Sequence, residues 1–269
     1  MSSHDEGAQA VLTALAVLCA GGSAIYAWAW MAQPQSRRRA WWRPVCFALG
    51  SVLIVSALLP PLSRHAHHDL QMHMWQHLLL GMWGPIGVVL GRPVTTLLGA
   101  LPTRHAKALI RVLHSLPVRV LGNPVVALVL NLGGMAALYL SPLFARMHHD
   151  VLLHGLIHFH FIAAGSLFSW SVLGLEPAAG RCYSPRMRLT VLWAGTAAHA
   201  VLGKAMYAYG FPRGTAFPPA DLEAAAKIMY YGGDASELLL IVLLMALSPL
   251  RRRRSERALP SRAVNPAGP

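Results

Sequence analysis

The sequence predicts an all-α integral membrane protein with seven transmembrane helices, its N-terminus outside the cell and its C-terminus in the cytoplasm. Hydrophobic residues make up 55% of the 269 positions and charged residues 12%, whereas about 25% of a typical soluble domain is charged. Seven apolar stretches approach the length of about 20 residues that a helix needs to cross the hydrocarbon layer. Basic residues are concentrated in alternate connections, and the positive-inside rule then sets the orientation.

The seven predicted spans follow one another without an intervening soluble domain. They cover residues 9–31, 45–62, 70–90, 124–142, 150–173, 188–208 and 228–248. The first has no basic n-region and no Ala-x-Ala cleavage site, so we interpret it as a retained helix and not as a signal peptide. Gly84 and Pro85 predict a kink in the third span, just below His77. Residues 1–250 are therefore expected to form a single heptahelical membrane domain, and the basic cytoplasmic tail, 251–269, is expected to be disordered.

The formal net charge of +13 is explained by membrane topology. With seven spans, the clusters of basic residues all fall on the cytoplasmic side. They are Arg37, Arg38, Arg39, Arg43, Arg92, Arg104, Lys107, Arg111, Arg119, Arg181, Arg186, Arg188 and residues 251–254. Residues 103–116 have basic and apolar faces, which predict an amphipathic helix on the inner membrane surface. Since basic loops serve insertion and contact anionic lipid, the sequence predicts membrane lipid as a partner and no nucleic acid.

A repeated histidine motif is the strongest functional signal. The pattern Pro-Leu-x4-His-His-Asp-x3-His-x3-His occurs twice, 81 residues apart. The first copy consists of Pro61, Leu62, His67, His68, Asp69, His73 and His77, and the second of Pro142, Leu143, His148, His149, Asp150, His154 and His158. A helix turns about 100° per residue, so an acid and two histidines spaced by four residues form one polar stripe. Two facing stripes offer imidazole and carboxylate ligands to a transition metal.

Four of the predicted spans place polar side chains in the same layer of the membrane. On the third and fifth spans, the last two histidines of each motif lie roughly 5–12 Å below the outer surface. On the sixth and seventh spans, His199, Asp234 and Glu237 lie roughly 9–13 Å below it. An intramembrane acid costs about 2.5–3.5 kcal/mol on insertion scales, so such acids are usually paired, protonated or coordinating. An ion pair with Lys204 is the structural alternative for either acid, and interhelical hydrogen bonding is the alternative for the histidines.

We therefore predict an intramembrane metal site open to the outside. The principal ligands are expected to be His73, His77, His154 and His158. The secondary ligands, or groups that orient the imidazoles, are expected to be His199, Asp69 and Asp150, and the further candidates are Asp234 and Glu237. Thioether sulfur close to imidazole slightly favours copper, particularly Cu(I), over zinc or iron; the methionines are Met72, Met74 and Met147. The outer histidines form either a capture patch or ordinary polar loops; they are His65, His67, His68, His148 and His149.

The chain resembles the CtaG-type cytochrome c oxidase assembly factors that are associated with caa3-type oxidases. The resemblance covers about residues 45–248 and rests on a set of motifs. These are His73-Met-Trp-Gln-His77-Leu-Leu-Leu, Gly84-Pro85, Gly91-Arg-Pro93, His154-x3-His158, His199 and Gly232-Gly233. It implies a non-enzymatic, multi-pass protein of the bacterial plasma membrane that helps to provide copper to the CuB centre of the oxidase. The implied partners are a haem-copper oxidase subunit and a periplasmic or extracellular copper donor.

Two other functions are compatible with the same residues. Histidines on two facing helices are also axial ligands of haem b, and an electron carrier of this kind needs a wide cleft lined with small residues. The fifth span offers Gly155, Ala163, Ala164 and Gly165. A copper or proton-coupled transporter would instead use the acids of the seventh span as part of an ion path. Such a path needs further inward polar residues towards the cytoplasm, and few lie below His199.

Overall fold

The computed structural model describes residues 3–35, 38, 40–176 and 183–258. Over these residues the secondary structure is helical and contains no strand, which confirms the predicted all-α class. Arg37, Arg39 and Arg181, which contribute to the predicted basic clusters, lie outside the described residues.

Thirteen α-helices make up the described part of the chain. They are α1 (Ser3–Met31), α2 (Trp42–Leu58), α3 (Leu62–His68), α4 (Leu70–Leu78), α5 (Gly84–Leu90), α6 (Pro93–Ala100), α7 (Thr103–Leu113), α8 (Leu116–Leu121), α9 (Pro124–Leu140), α10 (Leu143–Met147), α11 (Val151–Leu173), α12 (Pro185–Tyr209) and α13 (Pro219–Ala258). A π-helical segment, Leu79–Trp83, joins α4 to α5. It lies between His77 and Pro85, where the sequence predicts a kink.

Four stretches of the described chain are long and apolar enough to cross a membrane. They are Asp5–Met31, Leu70–Ala100, Val151–Leu173 and Pro219–Leu247. The pair α2 and α3, bent by 49°, adds a fifth if it forms one span. The apolar helix α9 has 17 residues, and α12 is long but less apolar because it carries polar groups such as His199 and Lys204. Seven spans and their orientation therefore stay predictions.

Both copies of the histidine motif fold into the same local structure. In each copy, a short helix (α3 or α10) follows the proline, and a longer helix (α4 or α11) begins after the aspartate. Asp69 caps α4 by accepting hydrogen bonds from the backbone N–H groups of Gln71 and Met72 at 2.8 and 3.3 Å. Asp150 caps α11 in the same way, with Leu152 and Leu153 at 2.9 and 3.0 Å. The repeat is thus a repeated helix–cap–helix unit.

Small residues bring the helices around the motif into close contact. A Cβ atom at Gly50 of α2 would lie 2.5 Å from the carbonyl oxygen of Gly84, and one at Gly165 of α11 would overlap with the backbone of Gly81. Close backbone approach at small residues is the usual way in which membrane helices associate. The contact at Gly165 holds α11 against the π-helical segment, directly beside His77.

The opposite end of the bundle contains the short helices and the predicted tail. The predicted amphipathic segment forms α7, which has no buried residue, so its contact with a membrane surface stays a prediction. Helix α13 continues to Ala258, so the first part of the predicted tail is helical and not irregular from Arg251 onward. Residues 259–269 lie outside the described part of the chain.

Candidate metal centre

Six histidines from the two motif copies form a histidine column, which runs from the outer loops into the bundle; neighbouring rings are close as far as His73, and His77 follows one helical turn further along α4. Its members are His67, His148, His154, His158, His73 and His77. Ring centroids are 5.3 Å apart between His67 and His148, 5.2 Å between His67 and His154, 4.4 Å between His154 and His158, and 6.3 Å between His158 and His73. All four histidines that the sequence predicts as principal ligands belong to this column, and all four are buried.

The inner end of the column is enclosed by aromatic side chains and one thioether. Tyr139 of α9 lies between the two histidines of α4, with its ring centroid 6.2 Å from that of His73 and 5.7 Å from that of His77. Phe161 stands edge-on to His77 at 4.4 Å. Nε2 of His77 is 3.1 Å from the sulfur of Met135. The sequence did not point to Met135 or Tyr139, because α9 carries no motif.

Gln76 connects the two motif helices at the centre of the column. Its amide nitrogen donates to the carbonyl oxygen of Ala57 at 2.8 Å, which leaves its amide oxygen 3.1 Å from Nε2 of His158. Nδ1 of His158 is 2.8 Å from the carbonyl oxygen of His154. A neutral imidazole carries one N–H, so it satisfies only one of these two oxygens. Gln76 lies between the two histidines of α4, but no feature of the sequence indicated that it contacts His158.

Several buried polar atoms in the column have no hydrogen-bond partner among the described residues. They are Nε2 of His73, Nδ1 of His77 and the hydroxyl of Tyr139. His73 and His77 are each only 3% exposed, so water does not compensate these nitrogens from bulk solvent. A buried polar group without a partner costs about 1–3 kcal/mol, and each instance calls for an explanation such as an ion.

The remaining predicted ligands are outside the column, although His199 lies close enough to its inner end to interact electrostatically with His77. His199 of α12 and Asp234 and Glu237 of α13 bring one potential ligand atom each to within 4.8 Å of one another. Among the described residues, this is the one group of three or more such side chains that converges at that distance; the column histidines are strung out along a line. We call it the His–Asp–Glu cluster. Asp69 and Asp150 are engaged as helix caps. The nine residues predicted for one site thus belong to three groups, which are the histidine column, the His–Asp–Glu cluster and the two helix caps.

Other histidines have individual roles or are exposed. His160 points away from the column, with Nε2 3.1 Å from the carbonyl oxygen of Leu130. His65, His68 and His149 are exposed. His67 and His148, which the sequence assigned to the outer loops, are partly buried members of the column.

Two cavities lead to the outer end of the column. One has a volume of about 230 Å³ and is lined by side chains that include Asp5, His67 and His154; Asp5 lies 3.3 Å from Nε2 of His67. The other has a volume of about 550 Å³ and is lined by His68, His148, His149, Asp221 and the connection 214–218. Both are wide enough to admit a hydrated ion or a small complex.

Comparison with known proteins agrees with the family resemblance that the motifs indicated. Residues 24–248 match the family described as cytochrome c oxidase caa3 assembly factor, Caa3_CtaG. The chain belongs to this family. The match covers α2 to α12, the last eight residues of α1 and most of α13, and therefore the whole histidine column and the His–Asp–Glu cluster of this caa3 assembly factor family member.

Curated relatives of this family member come from mycobacteria. An uncharacterized protein of Mycobacterium bovis is 32% identical over 156 residues, which are 54% of this chain and 23% of that protein. An uncharacterized protein of Mycobacterium leprae is 27% identical over 223 residues, which are 76% of this chain and 34% of that protein. The chain thus spans between about a quarter and a third of the length of these relatives. No solved structure matches it.

Proposed function

We propose that this protein is a non-enzymatic assembly factor that holds copper in the histidine column and helps to deliver it to the CuB centre of a haem-copper oxidase. The family is one of cytochrome c oxidase assembly factors, and the copper is the cargo. The observation that carries the proposal is a line of six imidazoles, four of them buried, two of which keep a nitrogen without a partner among the described residues at its inner end.

The spacing of the column suits an ion that moves between neighbouring histidines. A metal about 2.0–2.1 Å from two imidazole nitrogens places the ring centroids about 5 Å apart in tetrahedral geometry and about 6 Å apart in linear geometry. From His67 and His148 to His73, the observed separations between neighbours are 4.4–6.3 Å. These separations support a relay in which side-chain movements let an ion bind successive pairs of imidazoles from the outer cavities to His73, and His77 follows one helical turn further along α4.

The chemistry at the inner end favours copper over harder cations. His77 faces the thioether of Met135 across 3.1 Å, and imidazole with thioether is a ligand set that suits Cu(I). The column contains no carboxylate beyond Asp5 at its outer end. A monovalent ion bound by neutral ligands also carries only one charge into the bundle, which reduces the cost of burying it.

The structure offers less support for the two alternatives. A Cβ atom at Gly155 would overlap with Val11, and one at Gly165 with the backbone of Gly81. These two glycines therefore accommodate neighbouring helices and leave no haem cleft at their positions. A transporter needs polar side chains beyond the His–Asp–Glu cluster to continue its ion path. The neighbouring cluster of buried side chains is instead apolar and includes Phe168, Leu192 and Leu240.

We further propose that the protein is a multi-pass component of the bacterial plasma membrane, with seven spans, the column open to the outside and the C-terminus in the cytoplasm. The motif loops and the basic connections fall on opposite sides in that topology. Copper would then be received from an extracytoplasmic donor and passed to an oxidase subunit in the same membrane.

One purified sample distinguishes these functions. We expect metal analysis to find copper, and the optical spectrum of the same sample to lack a Soret band. In cells that lack the gene, we expect the oxidase to contain haem but to be deficient in copper, and the wild-type gene to restore the copper. A Soret band with one haem per chain would favour the electron carrier, and a copper-replete oxidase in the deleted strain would contradict the assembly role.

A further inference from the structure

The His–Asp–Glu cluster has the composition of a second cation site. It combines one imidazole with two carboxylates, and its three ligand atoms lie within 4.8 Å of one another. We infer that His199, Asp234 and Glu237 bind a divalent cation of the manganese, iron or zinc class in a site of their own next to the inner end of the histidine column. At that end, His199 interacts electrostatically with His77. This inference goes beyond copper delivery and does not depend on it.

Buried polar atoms without hydrogen-bond partners support this assignment. His199 is fully buried, and neither of its ring nitrogens has a hydrogen-bond partner among the described residues. Oδ1 of Asp234 and Oε2 of Glu237 are likewise buried without a partner in the described part of the chain. Desolvation without replacement bonds is costly. A bound cation would take one ring nitrogen of His199 and one oxygen of each carboxylate as ligands.

The groups around the cluster do not neutralise its two carboxylates. Thr196 interacts with Glu237, and Tyr230 interacts with Asp234; both are neutral hydroxyl donors. Lys204 contributes an electrostatic interaction with Asp234, but its ammonium lies over the ring of Tyr230, 5.6 Å from the centroid. Over the described residues, neither carboxylate has a cationic group within 4.0 Å. The predicted ion pair with Lys204 is therefore a longer-range contact.

Charge balance favours a divalent ion. When both carboxylates coordinate a metal in their ionised form, they and a neutral imidazole carry a charge of −2. A dication cancels this charge, and Cu(I) does not. An uncompensated charge within a membrane domain is strongly disfavoured. The two oxygen ligands also favour harder or borderline cations, whereas soft thioether ligands favour Cu(I). The two sites of this protein thus differ in the ion that each would prefer.

The local packing holds the cluster in place. A Cβ atom at Gly233 would overlap with the His199 ring, with Nδ1 at 2.6 Å and Nε2 at 2.7 Å. The absence of a side chain at Gly233 therefore lets the imidazole lie directly against α13, one turn from Glu237. Along α12, His199 lies between Leu192 and Leu202, which belong to two separate apolar clusters. Apolar side chains therefore flank the buried His199 along α12, whereas Asp234 is partly exposed.

The experiment measures Zn²⁺ uptake by purified full-length protein in detergent. The test variant is Asp234→Asn with Glu237→Gln, which keeps the side-chain volumes and removes both charges. The matched control is Glu223→Gln, the same carboxylate-to-amide change at an exposed position of the same helix. We expect the double variant to bind about one Zn²⁺ fewer per chain than the wild type, and the control to bind as much as the wild type.

A second measurement separates this site from the column. Cu(I) uptake under reducing conditions is expected to be unchanged in the double variant. If the double variant does not elute as a monodisperse species, Glu237→Gln alone is expected to weaken Zn²⁺ binding at least about tenfold. Unchanged zinc binding in the variant that folds would overturn the inference, as would an equal loss of Zn²⁺ and Cu(I), which would indicate one shared site. Loss of Cu(I) in variants of the column, with Zn²⁺ binding retained, would support the inference that the cluster is a second site.

Discussion

Asp69 and Asp150 cap helices, although the sequence predicted them as groups that help to bind metal. Both stand at the head of a polar stripe and were predicted to help bind metal, yet each accepts two backbone hydrogen bonds at the start of a helix. The capped turns orient α4 and α11, and hence the histidines that follow one and two turns later. The aspartates thus position the column through the backbone.

Replacing Asp150 with alanine is expected to destabilise the protein by about 0.5–2 kcal/mol, because two N–H groups in the first turn of α11 lose their acceptor. Asparagine is an equally good cap, so Asp150→Asn should restore most of the stability. Thermal unfolding of the purified variants in detergent checks this expectation. If Asp150→Asn kept its stability but bound much less copper than the wild type, the carboxylate would have a role in metal binding after all.

Helix α13 depends on two consecutive glycines for its position. A Cβ atom at Gly232 would overlap with Leu78 of α4, and one at Gly233 would overlap with His199 of α12. The glycine pair therefore allows α13 to approach both neighbours at the level of the His–Asp–Glu cluster.

Gly233→Ala is expected to lower the thermal stability and to reduce Zn²⁺ binding, because the His199 ring must move away from α13. Alanine is favoured over glycine in a helix by about 1 kcal/mol, so helix propensity alone would have the opposite effect on stability. Gly133→Ala in α9 is the control, since no heavy atom lies within 4 Å of the added Cβ. Wild-type stability and zinc uptake in Gly233→Ala would show that the close approach is not required.

Glu176 links the end of α11 to the start of α6. Its carboxylate accepts hydrogen bonds from the backbone N–H of Val94 at 2.9 Å and of Thr95 at 2.7 Å, and from the hydroxyl of Thr95 at 2.6 Å. Burial raises the pKa of Glu176, although the hydrogen bonds from Thr95 and Val94 and the charge of Arg92 oppose the shift.

Because the pKa of Glu176 is raised in the folded state, the folded protein binds this proton more tightly than the unfolded chain. The stabilising contribution is therefore fully present below the ordinary carboxyl pKa and is lost as the pH rises through the folded value. We expect the difference in melting temperature between the wild type and Glu176→Ala to shrink as the pH rises from about 4 to about 8. A difference that grows over this range would contradict the assigned direction.

For the molecule as a whole, composition and periodicity predicted the helical class, and the motif pointed to four of the six histidines of the column as ligands. Spacing by four places His73 with His77 on one helix face and His154 with His158 on another. It did not show that His67 and His148 extend the column, or that His199, Asp234 and Glu237 form a cluster of their own. Depth along each helix follows from residue number, but the rotation and neighbours of α12 and α13 depend on packing at Gly232 and Gly233.

Local breaks in the helices were only partly predictable from the sequence. Gly84 and Pro85 predicted a kink, but not the π-helical segment Leu79–Trp83, and the bend of 49° between α2 and α3, which lies at Pro60 and Pro61, was not predicted. Hydrophobicity identifies an apolar stretch as buried or membrane-embedded but does not report how its backbone hydrogen bonds are arranged. The contact between Met135 and His77 was unforeseen for a related reason, since α9 carries no repeated motif.

Cu(I) uptake by column variants tests the central claim most directly. Purified wild type and the variant His77→Ala with His158→Ala would be loaded under reducing conditions and compared by metal analysis. The control is His105→Ala with His114→Ala, which removes two histidines from the region of α7, away from the column. We expect the column variant to lose bound copper and the control to match the wild type. Full copper occupancy in the column variant would contradict the proposal that the histidine column holds copper.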